Sequence, residues 1–344
     1  MVKNMVITEV DLQITNRCNF NCAFCCVSSS PKVRDAFSLE TIEKIVDICS
    51  SENVKEIHIT GGEPLLFRDI VKVINYIKGK CIKVQLQTNG SLLTNFSSDD
   101  LNVDTLFISI DRLQRQGRSH LGLLDLEPTL RKFLEKGVQV RINTVAMRSN
   151  LCEIYKLFNE IHKMGIPIFS IFCFSPFGRG SLLKNELLAP QEWIKFRKEF
   201  VKYVYDKEYY KTTCIYFQPA FLEFDEVDCL ISKVQCRARD DNFVMIKYNG
   251  DLLPCSFFYH SNFYFGNILK DGLRMRYDRE KIFSTEVSDC QFCTFYSKCL
   301  GGCQGYNHIF GYKIPMRDIR CINSTGLIPV CPEKKVDIVS LLEV

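Results

Sequence analysis

The feature that most constrains this chain is the stretch Cys18-Asn19-Phe20-Asn21-Cys22-Ala23-Phe24-Cys25, with three residues between the first two thiols and two between the next pair. Spacing this tight lets one loop offer several thiolates to a single iron–sulfur cluster, which cysteine sulfur binds well. Three protein thiols on a four-iron cubane leave one iron open, and an open iron can hold and reduce a small molecule. A buried Cys-rich loop and a zinc knuckle are the alternatives that the spacing leaves.

The thiol content sharpens this. The chain has 18 cysteines among 344 residues. No apolar run approaches the ~20 residues of a membrane span. The N-terminus lacks the basic-then-apolar order of a signal peptide. The expected compartment is cytoplasmic, where disulfides are rare and metal or redox chemistry better accounts for so many thiols. A net charge of +4 is too mild to argue for nucleic acid or membrane. The length fits two domains, or one barrel with an appendage.

Strand and helix patterns alternate from the N-terminus onward. Val6–Thr15 reads as a strand that ends at the cysteine loop. Ser38 caps a helix whose apolar face is Ile42, Ile45, Val46 and Cys49. Glu56–Thr60 is a short buried strand running into Gly61-Gly62-Glu63-Pro64. A helix follows through Ile70, Val73, Ile74 and Ile77. Ile82–Gln87 and Thr105–Ile110 are strands. Pro128–Glu135 is helical, Val138–Val145 a strand, Cys152–Lys163 a helix and Ile166–Phe174 the sixth strand. The pattern predicts an α/β fold with a parallel sheet, open or curled toward a barrel, and chemistry at the C-terminal strand ends. Glycine and polar punctuation falls there, at Cys18–Cys25, Gly61–Pro64, Thr88–Gly90, Ser109–Asp111, Asn143 and Pro176–Gly180. Glu192–Tyr205 reads as an aromatic-rich amphipathic helix, and 206–228 carries no nameable motif.

The cysteine loop together with Gly61-Gly62-Glu63-Pro64 resembles the radical S-adenosylmethionine (radical SAM) superfamily, over residue 6 to about 185. The resemblance implies a partial (β/α)6 TIM-like barrel and a [4Fe–4S] cluster on Cys18, Cys22 and Cys25. It also implies SAM on the fourth iron, cleaved on reduction to a 5′-deoxyadenosyl radical that abstracts a substrate hydrogen. For cofactor contacts, Gly61 and Gly62 let backbone approach a ligand, Glu63 offers an ammonium acceptor, and Pro64 closes the motif. Phe24 is placed to pack on adenine. By resemblance Ser109 and Asp111 suit ribose or methionine, Asn143 is a further candidate, and Arg179 would pair with the SAM carboxylate. Strand-end capping is the alternative for Ser109, Asp111 and Asn143, and a solvated loop for Arg179.

After Pro190 the pattern changes, and beyond residue 229 cysteines take over. Thirteen residues separate Cys236 from Gly250 and four separate Gly250 from Cys255; then come Cys290-x2-Cys293-x5-Cys299-x3-Cys303 and, after seventeen residues, Cys321. Asn249-Gly250-Asp251 reads as a tight hairpin turn. This region resembles the SPASM domain, a Cys-rich appendage carrying two auxiliary [4Fe–4S] clusters. The implied ligands are Cys236, Cys255 and Cys303, with Cys229 as a possible fourth, and Cys290, Cys293, Cys299 and Cys321. Cys331 rivals Cys321, and zinc ribbons are the alternative. The expected division is 1–185 barrel core, 186–228 bridging helical region, and 229–344 cluster domain and tail.

Cys173, near the end of the sixth strand, is a candidate hydrogen donor to a substrate radical. Cys26, Cys49, Cys81, Cys152 and Cys214 read as small core hydrophobes. His58, His120 and His308, and the acids Asp225, Glu226, Asp228, Asp240 and Asp241, are acid–base candidates that a core or solvated face explains as well. The expected function is radical modification of a peptide or protein side chain, fed by a flavodoxin- or ferredoxin-type electron donor. Peptide-modifying members often carry an N-terminal leader-recognition domain, whereas here the first strand begins at Val6. Recognition by the barrel and aromatic helix, or a small-molecule substrate such as a sugar or antibiotic, is therefore the expectation. A non-catalytic electron carrier is the third reading, opposed by the Gly61–Pro64 motif.

Overall fold

A computed structural model describes residues 6–114, 121–217, 236–239, 242–273, 280–283, 287, 290–293 and 296–321. Cys229, Cys331, His120, Asp225, Glu226, Asp228, Asp240 and Asp241 lie outside the described residues.

The strand–helix alternation forms except between the third and fourth strands, which a short turn at Leu93–Asn95 joins with no α-helix among the described residues. The strands are β1 (Glu9–Thr15), β2 (Glu56–Gly61), β3 (Lys83–Thr88), β4 (Thr105–Ser109), β5 (Gln139–Ala146) and β6 (Ile168–Cys173). The crossover helices are α1 (Leu39–Ser51), α2 (Ile70–Gly79), α3 (Leu123–Glu135) and α4 (Leu151–Lys163), followed by α5 (Pro190–Asp206). Ser38 caps α1, its hydroxyl accepting from Thr41 N at 3.1 Å. The face made by Ile42, Ile45, Val46 and Cys49 is buried against the sheet side. Each fully buried Ile or Val contributes about 1.5–3 kcal/mol.

Two elements differ from the sequence expectation. Helix α3 starts at Leu123 and carries Pro128 inside it. Leu123 and Leu126 are fully buried and anchor the first turn, and Asp125 accepts from Gly122 N at 2.8 Å, which caps the helix start ahead of Pro128. A seventh strand, β7 (Cys214–Phe217), pairs parallel with β6. Its four residues are too short to show a period.

Among the described residues the sheet has ten strands. β8 (Phe243–Ile246) and β9 (Asp251–Leu253) form the hairpin around Gly250, and β10 (Gly266–Asn267) pairs antiparallel with β9. The order is β10-β9-β8-β1-β2-β3-β4-β5-β6-β7. β8 runs parallel to β1, with Val10 opposite Val244 and Leu12 opposite Ile246. The Cys-rich half therefore continues the same sheet. β7 and β8 are unpaired with one another among the described residues, so the barrel stays partial and open on that side.

Alternation along the strands places an apolar set toward the helices. Val10, Leu12 and Ile14 are fully buried there. The intervening positions, Glu9, Asp11 and Gln13, face the barrel interior, which is polar. No helix among the described residues is long and apolar enough to cross a membrane.

Candidate active site

The cysteine loop leaves β1 at its C-terminal end and is held by the ends of three other strands. From β2, Gly62 N donates to Thr15 O at 2.8 Å and Glu63 N to Arg17 O at 2.9 Å. A Cβ at Gly61 would press on Thr15 O, and one at Gly62 on the Arg17 carbonyl. The glycines thus serve a close approach of backbone to backbone, where the sequence reading expected approach to a ligand.

The Glu63 side chain also differs from expectation. It is fully buried, accepting from Leu65 N at 3.0 Å, Thr88 Oγ1 at 2.7 Å and Asn89 N at 2.8 Å. These bonds fix the turn after β2 against the end of β3, so the carboxylate is already engaged by protein donors. Burial raises its pKa to about 7, against the three hydrogen bonds that favour the charged form. Pro64 opens a short turn behind it and is buried.

From β3, Asn89 Nδ2 reaches Cys18 Sγ at 3.8 Å and Asn19 Oδ1 at 3.0 Å. Phe20 N also donates to Cys18 Sγ, at 3.4 Å. From the end of β6, Arg179 N donates to Cys25 O at 3.1 Å. Its Nε reaches Cys22 O at 3.0 Å and its Nη2 Ser29 O at 2.6 Å. Gly178, at φ +58, lies so close to the carbonyls of Cys25 and Cys26 that a side chain would collide with them. Arg179 is therefore a clamp on the loop backbone; the guanidinium bonds that the reading assigned to a SAM carboxylate here go to loop carbonyls.

The three thiols lie within electrostatic reach of one another. Burial pushes Cys22 up to about 12, with Cys25, Cys18 and Asp111 adding to it. Burial also raises Cys18, with Glu63 and Cys25 adding. A metal bound there would reverse this and hold the thiolates. N–H donors aimed at a sulfur are what iron–sulfur thiolates accept. The donor set fits a cluster.

The remaining candidates are placed as follows. Phe24 is half-buried in the loop. Ser109 accepts from Gln87 Nε2 at 2.7 Å, and Asn143 Nδ2 reaches Gln87 Oε1 at 3.4 Å. Asp111 accepts from Thr144 Oγ1 at 3.0 Å and Val145 N at 2.8 Å, so it ties the end of β4 to β5; burial raises its pKa. Cys173 is buried, which pushes its thiol up to about 12, with Arg320 and Asp318 as its charged neighbours. His308 is an aromatic packing group, stacked 5.0 Å from Phe258 and edge-on to Phe263.

The C-terminal thiols gather in two groups. Cys255 is raised by burial and by Cys303 and Cys236. Cys290 is pushed up to about 12 by burial, with Cys299, Cys321 and Cys293 adding. Cys321 is pushed up to about 11, again by burial first. A buried Asp318–Arg320 pair braces this region, with Nη2 to Oδ2 at 2.8 Å, and Asp318 accepts from Cys303 N at 2.8 Å. Arg320 lies 3.6 Å from the centre of the Tyr306 ring.

Sequence reasoning missed Asp11, Arg141 and Arg237. The available signal was charge inside a strand: Glu9 and Asp11 alternate with Val10 and Leu12, which marks a polar inner face.

Comparisons with known proteins agree with this geometry. The radical SAM superfamily pattern matches residues 12–174. The subtilosin biosynthesis protein AlbA of Bacillus subtilis is 25% identical over 274 residues, covering 76% of this chain and 57% of that relative. A probable GTP 3′,8-cyclase of Pyrococcus abyssi is 31% identical over 158 residues, covering 44% of this chain and 52% of its own. The chain thus spans little more than half the length of these relatives. Among solved structures, Streptococcus suis SuiB bound to precursor peptide SuiA superposes with a TM-score of 0.71 at 21% identity, over 92% of this chain and 76% of that one. The anSMEcpe chain with AdoMet and the Cp18Cys peptide gives 0.66 at 16%, over 86% and 89%. Residues 12–174 thus match the radical SAM superfamily, and the fold is similar to those of SuiB and anSMEcpe.

Proposed function

We propose that this protein is a radical SAM enzyme that modifies a side chain of a peptide or protein substrate. The observation that carries the reading is the clamping of Cys18–Cys25 by residues after β3 and β6 at the C-terminal edge of the sheet, with the end of β2 bonded to Thr15 and Arg17 just before it, where parallel α/β folds place their chemistry. Cys18, Cys22 and Cys25 would hold a [4Fe–4S] cluster, and with SAM bound this supplies a 5′-deoxyadenosyl radical for hydrogen abstraction. Cys236, Cys255 and Cys303, with Cys229, would hold a second cluster; Cys290, Cys293, Cys299 and Cys321 would hold a third. Phe24, Ser109, Asp111 and Asn143 would contact SAM. Arg179 and Glu63 fix the loop. An external flavodoxin- or ferredoxin-type donor would supply the electron.

The peptide substrate is supported by AlbA, whose name places it in bacteriocin biosynthesis, and by structures solved with a precursor peptide and with the Cp18Cys peptide. The cyclase likeness covers 44% of the chain and bears on the SAM end alone. The test is reductive cleavage of SAM by the iron-loaded protein. Formation of 5′-deoxyadenosine is expected, rising when the substrate peptide is added; no cleavage from protein carrying its full iron overturns the reading.

A further inference from the structure

The polar layer inside the barrel holds two arginines that are treated differently. Arg237 reaches Glu9 at 2.9 Å and Asp11 at 3.4 Å, and Asp11 also meets His58 Nδ1 at 3.2 Å. Arg141 lies between the fully buried Val140 and Ile142, so it faces the interior. Among the described residues it has no carboxylate at ion-pair distance. Its one protein hydrogen bond runs from Nε to Ser170 Oγ at 2.6 Å. Two rings hold it: the guanidinium carbon is 5.1 Å from the centre of Phe107 and 4.6 Å from that of Tyr216. Aromatic faces steady a cation without neutralising it.

Two further polar atoms in the interior, His58 Nε2 and Asn143 Oδ1, are buried with no hydrogen bond among the described residues. His58 is 8% exposed, and its ring lies 4.7 Å from the same Phe107. Asn143 is the next interior position along β5. A half-buried cation with no carboxylate beside it, near two unmatched polar groups, suits an anionic ligand that pairs with all three. Burial also pulls the Arg141 pKa down. A carboxylate on Arg141 would remove this mismatch, since guanidinium takes it through two parallel hydrogen bonds.

We propose that Arg141 receives a carboxylate of the substrate inside the barrel, with Asn143 Oδ1 and His58 Nε2 placed to accept polar hydrogens of the same ligand. The carboxylate would come from an Asp or Glu side chain of a peptide or from its free C-terminus. The proposal rests on the reading that the barrel admits a peptide, and its test does not use SAM cleavage, so the two fail separately.

The test is calorimetric titration of the iron-loaded full chain with three probes: N-acetylglutamate amide (side-chain carboxylate), N-acetylglycine (terminal carboxylate) and N-acetylglutamine amide (neutral). The wild type is expected to bind at least one acid about tenfold more tightly than the neutral amide, and the acid preferred identifies the source. Arg141→Met should lose that preference while keeping its full iron and the circular dichroism of the wild type. Arg141→Lys should retain part of the preference. Equal binding of acids and amide by the wild type would overturn the proposal. So would an undiminished acid preference in folded Arg141→Met.

Discussion

The two thiol-rich regions use the same ligand chemistry on different supports. The Cys18–Cys25 loop sits on strand ends and is gripped through its backbone by Gly62, Gly178 and Arg179. The C-terminal thiols sit on elements such as Tyr296–Cys299 and Gln304–Ile309, four and six residues long. Helices that short have no stability of their own. They are braced instead by the Asp318–Arg320 pair and by Asn307 Nδ2, which reaches the carbonyls of Met316 and Arg317 at 3.2 Å. The difference teaches that the barrel itself supplies the contacts that hold the first loop. On the proposed cluster assignment, the second region would gain much of its order from the metal, as small metal-dependent folds do.

The largest effect expected from this contrast is on chemistry alone. Cys18→Ala should abolish 5′-deoxyadenosine formation while circular dichroism and the melting temperature of the metal-free protein stay near wild type. Unfolding of the barrel in this variant would break the comparison. Next, Cys290→Ala should lower iron from about twelve to about eight per chain and lower the melting temperature of the loaded protein, with SAM cleavage retained. Iron analysis and calorimetry check both.

Arg179→Ala is expected to be intermediate. Its loss frees the carbonyls of Cys22 and Ser29, so iron retention at the first site should fall, at a cost of about 1–3 kcal/mol. A raised KM for SAM with intact iron would show instead that Arg179 acts on the SAM carboxylate. The smallest effect is that of Glu63→Gln, which sets an amide N–H₂ against the Asn89 N–H and costs about 1–3 kcal/mol. This carboxyl has its folded pKa raised from 4.5 to about 7. The folded state therefore binds its proton more tightly, and the wild type loses stability through this group as pH rises from 4.5 to about 7. Urea midpoints at pH 5 and pH 8 should differ less in Glu63→Gln than in wild type; an equal difference would contradict the buried-carboxyl account.

The barrel was legible because each strand–helix repeat carries its period, from Ile42, Ile45, Val46 and Cys49 on α1 to the alternation along β5. The cysteine loop was legible because its spacing is local. Partner choice was not. Glu63 and Arg179 look like ligand-binding residues in sequence, and tertiary contacts with Asn89, Cys22 and Ser29 turn them to holding the loop. β7 was hidden by its length, and the pairing of β8 with β1 joins residues over 200 apart, which no local pattern encodes. Arg141 read as an ordinary strand residue, since its isolation is visible only once Phe107, Ser170 and Tyr216 surround it.

The central claim is that the barrel-held loop makes a SAM-cleaving site. The direct measurement is anaerobic incubation of the iron-loaded protein with dithionite and SAM, with 5′-deoxyadenosine quantified beside the Cys18→Ala variant. The account predicts product from the wild type and none from the variant. No product from wild type carrying about twelve irons per chain, or equal product from both proteins, would contradict it.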